Sequence, residues 1–147
     1  TISDDTKLQC LNTKSILEYI IRTVDVNSKL VDSDKCTFCT EEIETIDHIF
    51  CDCVFVRNIW VQIFKLLQEK CNIKANIEND LLLFGSLVES VESEIVNLIL
   101  LIVKYYIHKC RIKKNLPYIK ACIAEILSYK KLDMMSIIFY NAKKHLK

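Results

Sequence analysis

Cys36–Trp60, CTFCTEEIETIDHIFCDCVFVRNIW, draws the thiols of Cys36, Cys39 and Cys53 and the imidazole of His48 into eighteen positions. A Cys-x2-Cys turn lets two thiolates point at one ion, and His48 with Cys53 supplies a His-x4-Cys pair that completes a tetrahedron. Four soft or borderline ligands with no open position describe a structural Zn2+, not a hydrolytic one. Binding needs ionised thiols and a neutral imidazole, so such a site weakens as pH falls. The bland reading is a set of core cysteines beside a core histidine, and the ordered spacing speaks against it.

Around this stretch the local signals are helical. Glu41 to Glu44 reads as an acidic loop, and Thr45 as the N-cap of a short helix whose first turn carries His48. On a regular helix His48 and Cys53 are separated by about 500 degrees of rotation, so the segment has to bend or unwind before Cys53. Cys51, at His-x2-Cys, is the competing fourth ligand; Cys53 is preferred because His-x4-Cys is also the second half of the retroviral zinc knuckle. Val56, Ile59, Trp60, Ile63, Phe64 and Leu67 then predict an amphipathic helix from about Cys53 to Lys70. Trp60 is its core anchor under the loop.

The chain as a whole agrees. It has 147 residues, 51% apolar and 27% charged, with one Gly and one Pro. So few turn formers leave little with which to build hairpins, and the expected fold is all-α: a loose segment 1–12, then one helical zinc-binding domain 13–147 with its zinc loop at 36–53 and a basic helical part at 91–147. Residues 13–24 predict a helix through Ile16, Leu17, Ile20, Ile21 and Val24. Asn76 to Ser90 is a connector in which Gly85 ends a short helix. Ser90 caps the longest helix, Val91 to Lys113, apolar nearly all round; Asn97, Lys104, His108 and Lys109 break it too often for a membrane span. Pro117 opens a further helix with Ile119, Cys122, Ile123, Ile126 and Leu127 on its buried face, and a last helix runs from Met134 to Lys144.

Charge is segregated along the chain. Lys104 to Lys147 holds eleven Lys or Arg against two acids, a balance of +9, whereas residues 1–103 hold nine against seventeen, a balance of −8. A basic last third attracts polyanions. Lys104, Lys109, Arg111, Lys113 and Lys114 are the candidate phosphate contacts, with Tyr105, Tyr106 and His108 one or two turns away. Cations also suit the negative end of a helix dipole, which is a sufficient structural reason for them. The acidic remainder, such as Glu89, Glu92 or Glu94, could cover the same surface. No P-loop, nucleophile elbow or zincin spacing is present, and the Asp4–Asp5 pair reads as part of a solvated tail. Without a secretory signal pattern, and with four of eight cysteines in metal spacing, the chain reads as reduced and intracellular.

Cys36-x2-Cys39, Glu44-Thr45, His48, Phe50, Cys53 and Trp60, preceded by the 13–24 helix, closely resemble the zinc-binding domain that follows the reverse transcriptase in non-LTR, LINE-type retrotransposon polyproteins. Leu83-Phe84-Gly85 and Val103-Lys104-Tyr105-Tyr106-Ile107-His108-Lys109-Cys110 extend the likeness more weakly toward the carboxyl end. Cys51 departs from it, standing where such sequences carry a bulky residue. The resemblance implies a non-catalytic accessory domain with one structural Zn2+, RNA template or target DNA and the rest of the polyprotein as partners, and action in cytoplasm and nucleus. It implies no membrane and no small-molecule substrate. The alternative is a structural or protein-interaction zinc module, including a transposon remnant reused by a host.

Overall fold

The computed structural model describes residues 34–129. The expected helix at 13–24, the Asp4–Asp5 pair and the helix from Met134 to Lys144 lie outside the described residues. Within them the fold is helical and holds no strand, only an isolated antiparallel bridge between Lys35 and Ile43 at the base of the metal loop.

The loop leads into a π-helical turn, His48–Asp52, and then four α-helices: α1 (Val54–Cys71), α2 (Asn79–Phe84), α3 (Val91–Lys113) and α4 (Ile119–Ser128). All six apolar residues expected along α1 are buried, and Trp60 is sealed at 0% exposure with its indole N–H donating to the Phe50 carbonyl (2.7 Å). One apolar cluster joins the loop, α1, α2 and α3 and reaches Cys122 on α4. The π turn packs on α1 and α2, while α4 packs on α3 and α1.

Helix ends follow local chemistry. The Ser90 hydroxyl accepts from the Ser93 N–H (3.1 Å), capping α3 as expected. Asn72 after α1 and Lys114 after α3 both turn left-handed, at φ 55°, a cap that Gly or Asn adopts more easily than Lys. Gly85 closes α2 at φ 78°, and a Cβ there would meet Asn97 Oδ1 at 2.6 Å. Asn97 holds the next residue through both backbone groups, accepting from Ser86 N–H (2.7 Å) and donating to Ser86 O (3.0 Å).

Two expectations shift. Pro117 is not the first helical residue, because Tyr118 is the N-cap of α4 and Pro117 precedes it, buried. The Tyr106 hydroxyl accepts from the Tyr118 N–H (3.0 Å) and lies 3.2 Å from the Tyr118 carbonyl, which fixes the α3–α4 link one residue later. Leu127, expected on the buried face of α4, is 74% exposed. No helix among the described residues is long and apolar enough to cross a membrane.

Candidate metal centre

Backbone hydrogen bonds shape the Cys-x2-Cys loop before any ion is considered. The Cys36 N–H donates to Glu42 O (2.7 Å), the Thr40 N–H returns to Cys36 O (2.9 Å), and the Glu44 N–H reaches Asp34 O (2.8 Å). Thr40 takes φ 59° at the corner. The Phe38 N–H points at the Cys36 sulfur (3.4 Å), a donor that favours a thiolate there.

The other half of the cluster depends on the π turn. The Thr45 hydroxyl accepts from the His48 N–H (3.0 Å), as the cap reading expected. The chain then over-closes: the Cys53 N–H donates to His48 O (2.7 Å), an i to i+5 bond. A turn that closes on the fifth residue returns positions five apart to one side, which a regular α-helix does not. This is how the bend demanded by the His-x4-Cys spacing is realised.

The Cys36, Cys39, His48 and Cys53 ligand atoms all lie within 4.8 Å of one another. Cys36 Sγ and Cys53 Sγ are 3.9 Å apart, and Cys39 Sγ is 3.4 Å from His48 Nε2. Zn–S bonds of about 2.3 Å in a tetrahedron imply sulfur–sulfur edges of roughly 3.8 Å, so the four atoms fit a zinc ion. His48 Nδ1 lies 3.4 Å from Glu42 Oε2, which orients the ring with Nε2 toward the sulfurs, the carboxylate–histidine arrangement common around zinc. Cys51 is fully buried but outside this cluster.

Thiol electrostatics single out Cys39. Burial pushes Cys36 up to about 12 and raises Cys53 too. Cys39 is brought down to about 7, chiefly by the Glu42 backbone N–H, with help from the Glu41 N–H and the His48 ring. Burial takes Cys51 up to about 12. A divalent cation beside Cys36 and Cys53 would supply the charge that burial denies their thiolates, whereas Cys39 ionises more readily on its own.

The five expected phosphate contacts do not share one surface. Lys104 is 1% exposed, and its ammonium donates to Leu83 O (2.9 Å) at the end of α2. Arg111 is buried, its Nε donating to Glu44 Oε1 (2.5 Å). Lys109 pairs with Glu125 and sits 4.9 Å from the centre of the Tyr105 ring. Lys113 and Lys114 are exposed. Among the described residues, the acids paired with the basic end of α3 are thus Glu44 and Glu125, not Glu89 or the first-turn Glu92 and Glu94. Glu44 lies 67 positions from Arg111, and no short-range spacing announces that pair. His108 is 4% exposed with Nδ1 unpartnered; burial, then the Arg111 charge, lowers its pKa.

Fold and cluster together make a helical unit whose four converging side chains could hold one structural zinc. Residues 7–60 match the family model described as zinc-binding in reverse transcriptase, zf-RVT. That span contains all four clustered side chains and ends at Trp60. The weaker likeness at Leu83–Gly85 and Val103–Cys110 falls beyond it. No curated protein and no solved structure matches the chain.

Proposed function

We propose that the chain provides a non-catalytic accessory domain, residues 13–147, to a LINE-type reverse transcriptase, with a structural zinc held by Cys36, Cys39, His48 and Cys53. The observation that carries this reading is the mutual approach of those four ligand atoms within a span that matches a zinc-binding family of reverse transcriptases. Four protein ligands leave a tetrahedral ion no position for a reacting water, so the metal organises the loop and does not hydrolyse. Metal analysis of the purified chain tests it. One zinc per chain is expected, lost in Cys53→Ser and retained in Cys51→Ser; the reverse pattern would move the fourth ligand to Cys51.

In such a protein the domain contributes to holding RNA template or target DNA, in cytoplasm and nucleus. With Lys104 and Arg111 inside the fold, phosphate contact among the five candidates falls to Lys113 and Lys114, assisted by Lys109 beside Tyr105. Two phosphate contacts give a slope of only about −2 in log affinity against log salt on duplex DNA. Binding of RNA and DNA to the zinc-loaded chain is therefore measured at several salt concentrations, with Lys113→Ala/Lys114→Ala as the weakened variant.

A second reading, a packing or protein-interaction module of the polyprotein or a host-reused remnant, is favoured by the engagement of Lys104, Lys109 and Arg111 within the fold. It predicts no nucleic-acid affinity at low salt with zinc bound. That result would replace the first reading.

A further inference from the structure

We propose that Glu44 and Arg111 form the outer support of the metal loop, so that a residue in the last turn of α3 sets how tightly the Cys36–Cys39 turn holds its ion. The inference rests on the reading of Cys36, Cys39, His48 and Cys53 as zinc ligands.

Thr37 lies between the two cysteines of the turn, and Glu44 holds it twice: Oε2 accepts from the Thr37 N–H (2.8 Å) and from the Thr37 hydroxyl (2.7 Å). The other carboxylate oxygen, Oε1, accepts from Arg111 Nε (2.5 Å). One side chain thus ties the metal turn to a helix far away in sequence, with both of its oxygens in use. The pair is nearly closed to water, at 11% side-chain exposure for Glu44 and 7% for Arg111, so salt and solvent screen it little. Removing one partner strands the other as a buried charge.

The linkage runs to a ligand atom. Holding Thr37 by both its N–H and its hydroxyl restrains the backbone leading to the next N–H, that of Phe38, which points at the Cys36 sulfur (3.4 Å). Glu44 is itself held in register, because its N–H donates to Asp34 O across the base of the loop (2.8 Å). Glu42 supports the His48 half of the cluster. Glu44 and Arg111 are the corresponding support for the Cys-x2-Cys half, as positioning residues that do not touch the ion. The coupling is reciprocal: ion binding that orders the turn also holds the end of α3 against the loop.

The test measures zinc dissociation constants for the full chain by chelator competition, under conditions where each variant is folded. The cobalt(II)-substituted absorption spectrum serves as a second readout. Glu44→Gln and Arg111→Met are each expected to weaken zinc binding about 10–100-fold, the size usual for residues supporting a ligand, and to alter the cobalt bands. The double variant is expected to be little weaker than either single one. Thr37→Val, which removes one hydroxyl and leaves the ion pair, is expected to move affinity the same way by less, and it decides the matter if Arg111→Met does not fold. A purely structural ion pair would instead lower the melting temperature and leave zinc affinity and the cobalt spectrum at wild-type values, which overturns the proposal. If Cys36→Ser abolishes tight wild-type binding while Glu44→Gln and Thr37→Val do not change it, only the support fails. If the wild-type chain takes up no zinc, the metal reading has failed and the support with it.

Discussion

Lys104→Met isolates a buried charge whose cost to stability is present at neutral pH and fades in alkali. The Lys104 ammonium sits at 1% exposure with the Leu83 carbonyl as its partner, and burial brings its pKa from 10.5 down to about 8. A lysine whose folded pKa is lowered destabilises the folded state at every pH below that value. The penalty fades as pH rises from about 8 toward 10.5, where the unfolded chain still binds the proton and the folded chain no longer does. At about 1.4 kcal/mol per pH unit, the two plateaus differ by about 3 kcal/mol. Met keeps the aliphatic stem and removes the charge, but leaves Leu83 O, one of the unpaired carbonyls at the end of α2, without its donor, which costs about 1–3 kcal/mol. At neutral pH these terms nearly cancel, so the variant is close to wild-type stability. At high pH wild type gains and the variant does not. Urea unfolding of both zinc-loaded proteins, between about pH 7 and pH 10, reads the difference directly, because thiol and zinc contributions are common to the pair. Wild type minus variant should climb by about 2–3 kcal/mol across that range, the remainder of the penalty being lost only as pH passes 10.5. A difference that stays flat, or falls, refutes the burial argument.

Three further outcomes are expected. Trp60→Phe leaves the Phe50 carbonyl without the indole N–H and opens a small void, so unfolding of the zinc-loaded chain should come about 1–3 kcal/mol sooner; an unchanged midpoint would mean that this bond contributes nothing. Lys114→Gly relieves left-handed backbone at φ 55°. The gain should be positive but under about 1 kcal/mol, since Gly also frees the unfolded chain, and a loss of stability in a urea melt would show that the side chain outweighs the cap. Zinc uptake near neutral pH should release about two to three protons, because burial keeps the Cys36 and Cys53 thiols protonated while Cys39 titrates at about 7. Affinity should therefore rise with pH, and calorimetry in buffers of different ionisation enthalpy counts the protons; a pH-independent affinity contradicts thiolate ligation by these three residues.

Much of this molecule is local chemistry and therefore readable along the chain. Apolar spacing marks α1 and α3, the Ser90 hydroxyl marks where α3 starts, Gly85 where α2 stops, and the Cys-x2-Cys and His-x4-Cys intervals name the four side chains that converge. Even the break in helical geometry before Cys53 follows from counting residues per turn, although that it takes the form of a π turn, closed by Cys53 N–H on His48 O, does not. The fate of the cations was decided only in three dimensions. Lys104, Lys109, Arg111, Lys113 and Lys114 are equivalent in a one-dimensional charge count, yet one lies in the core, two are paired with acids from other segments and two face solvent. Burial and long-range pairing depend on which helices pack together, and Glu44 and Arg111 meet across 67 positions of chain. Residue spacing records what lies one or two turns away; it holds no record of what the folded chain brings back from a distance.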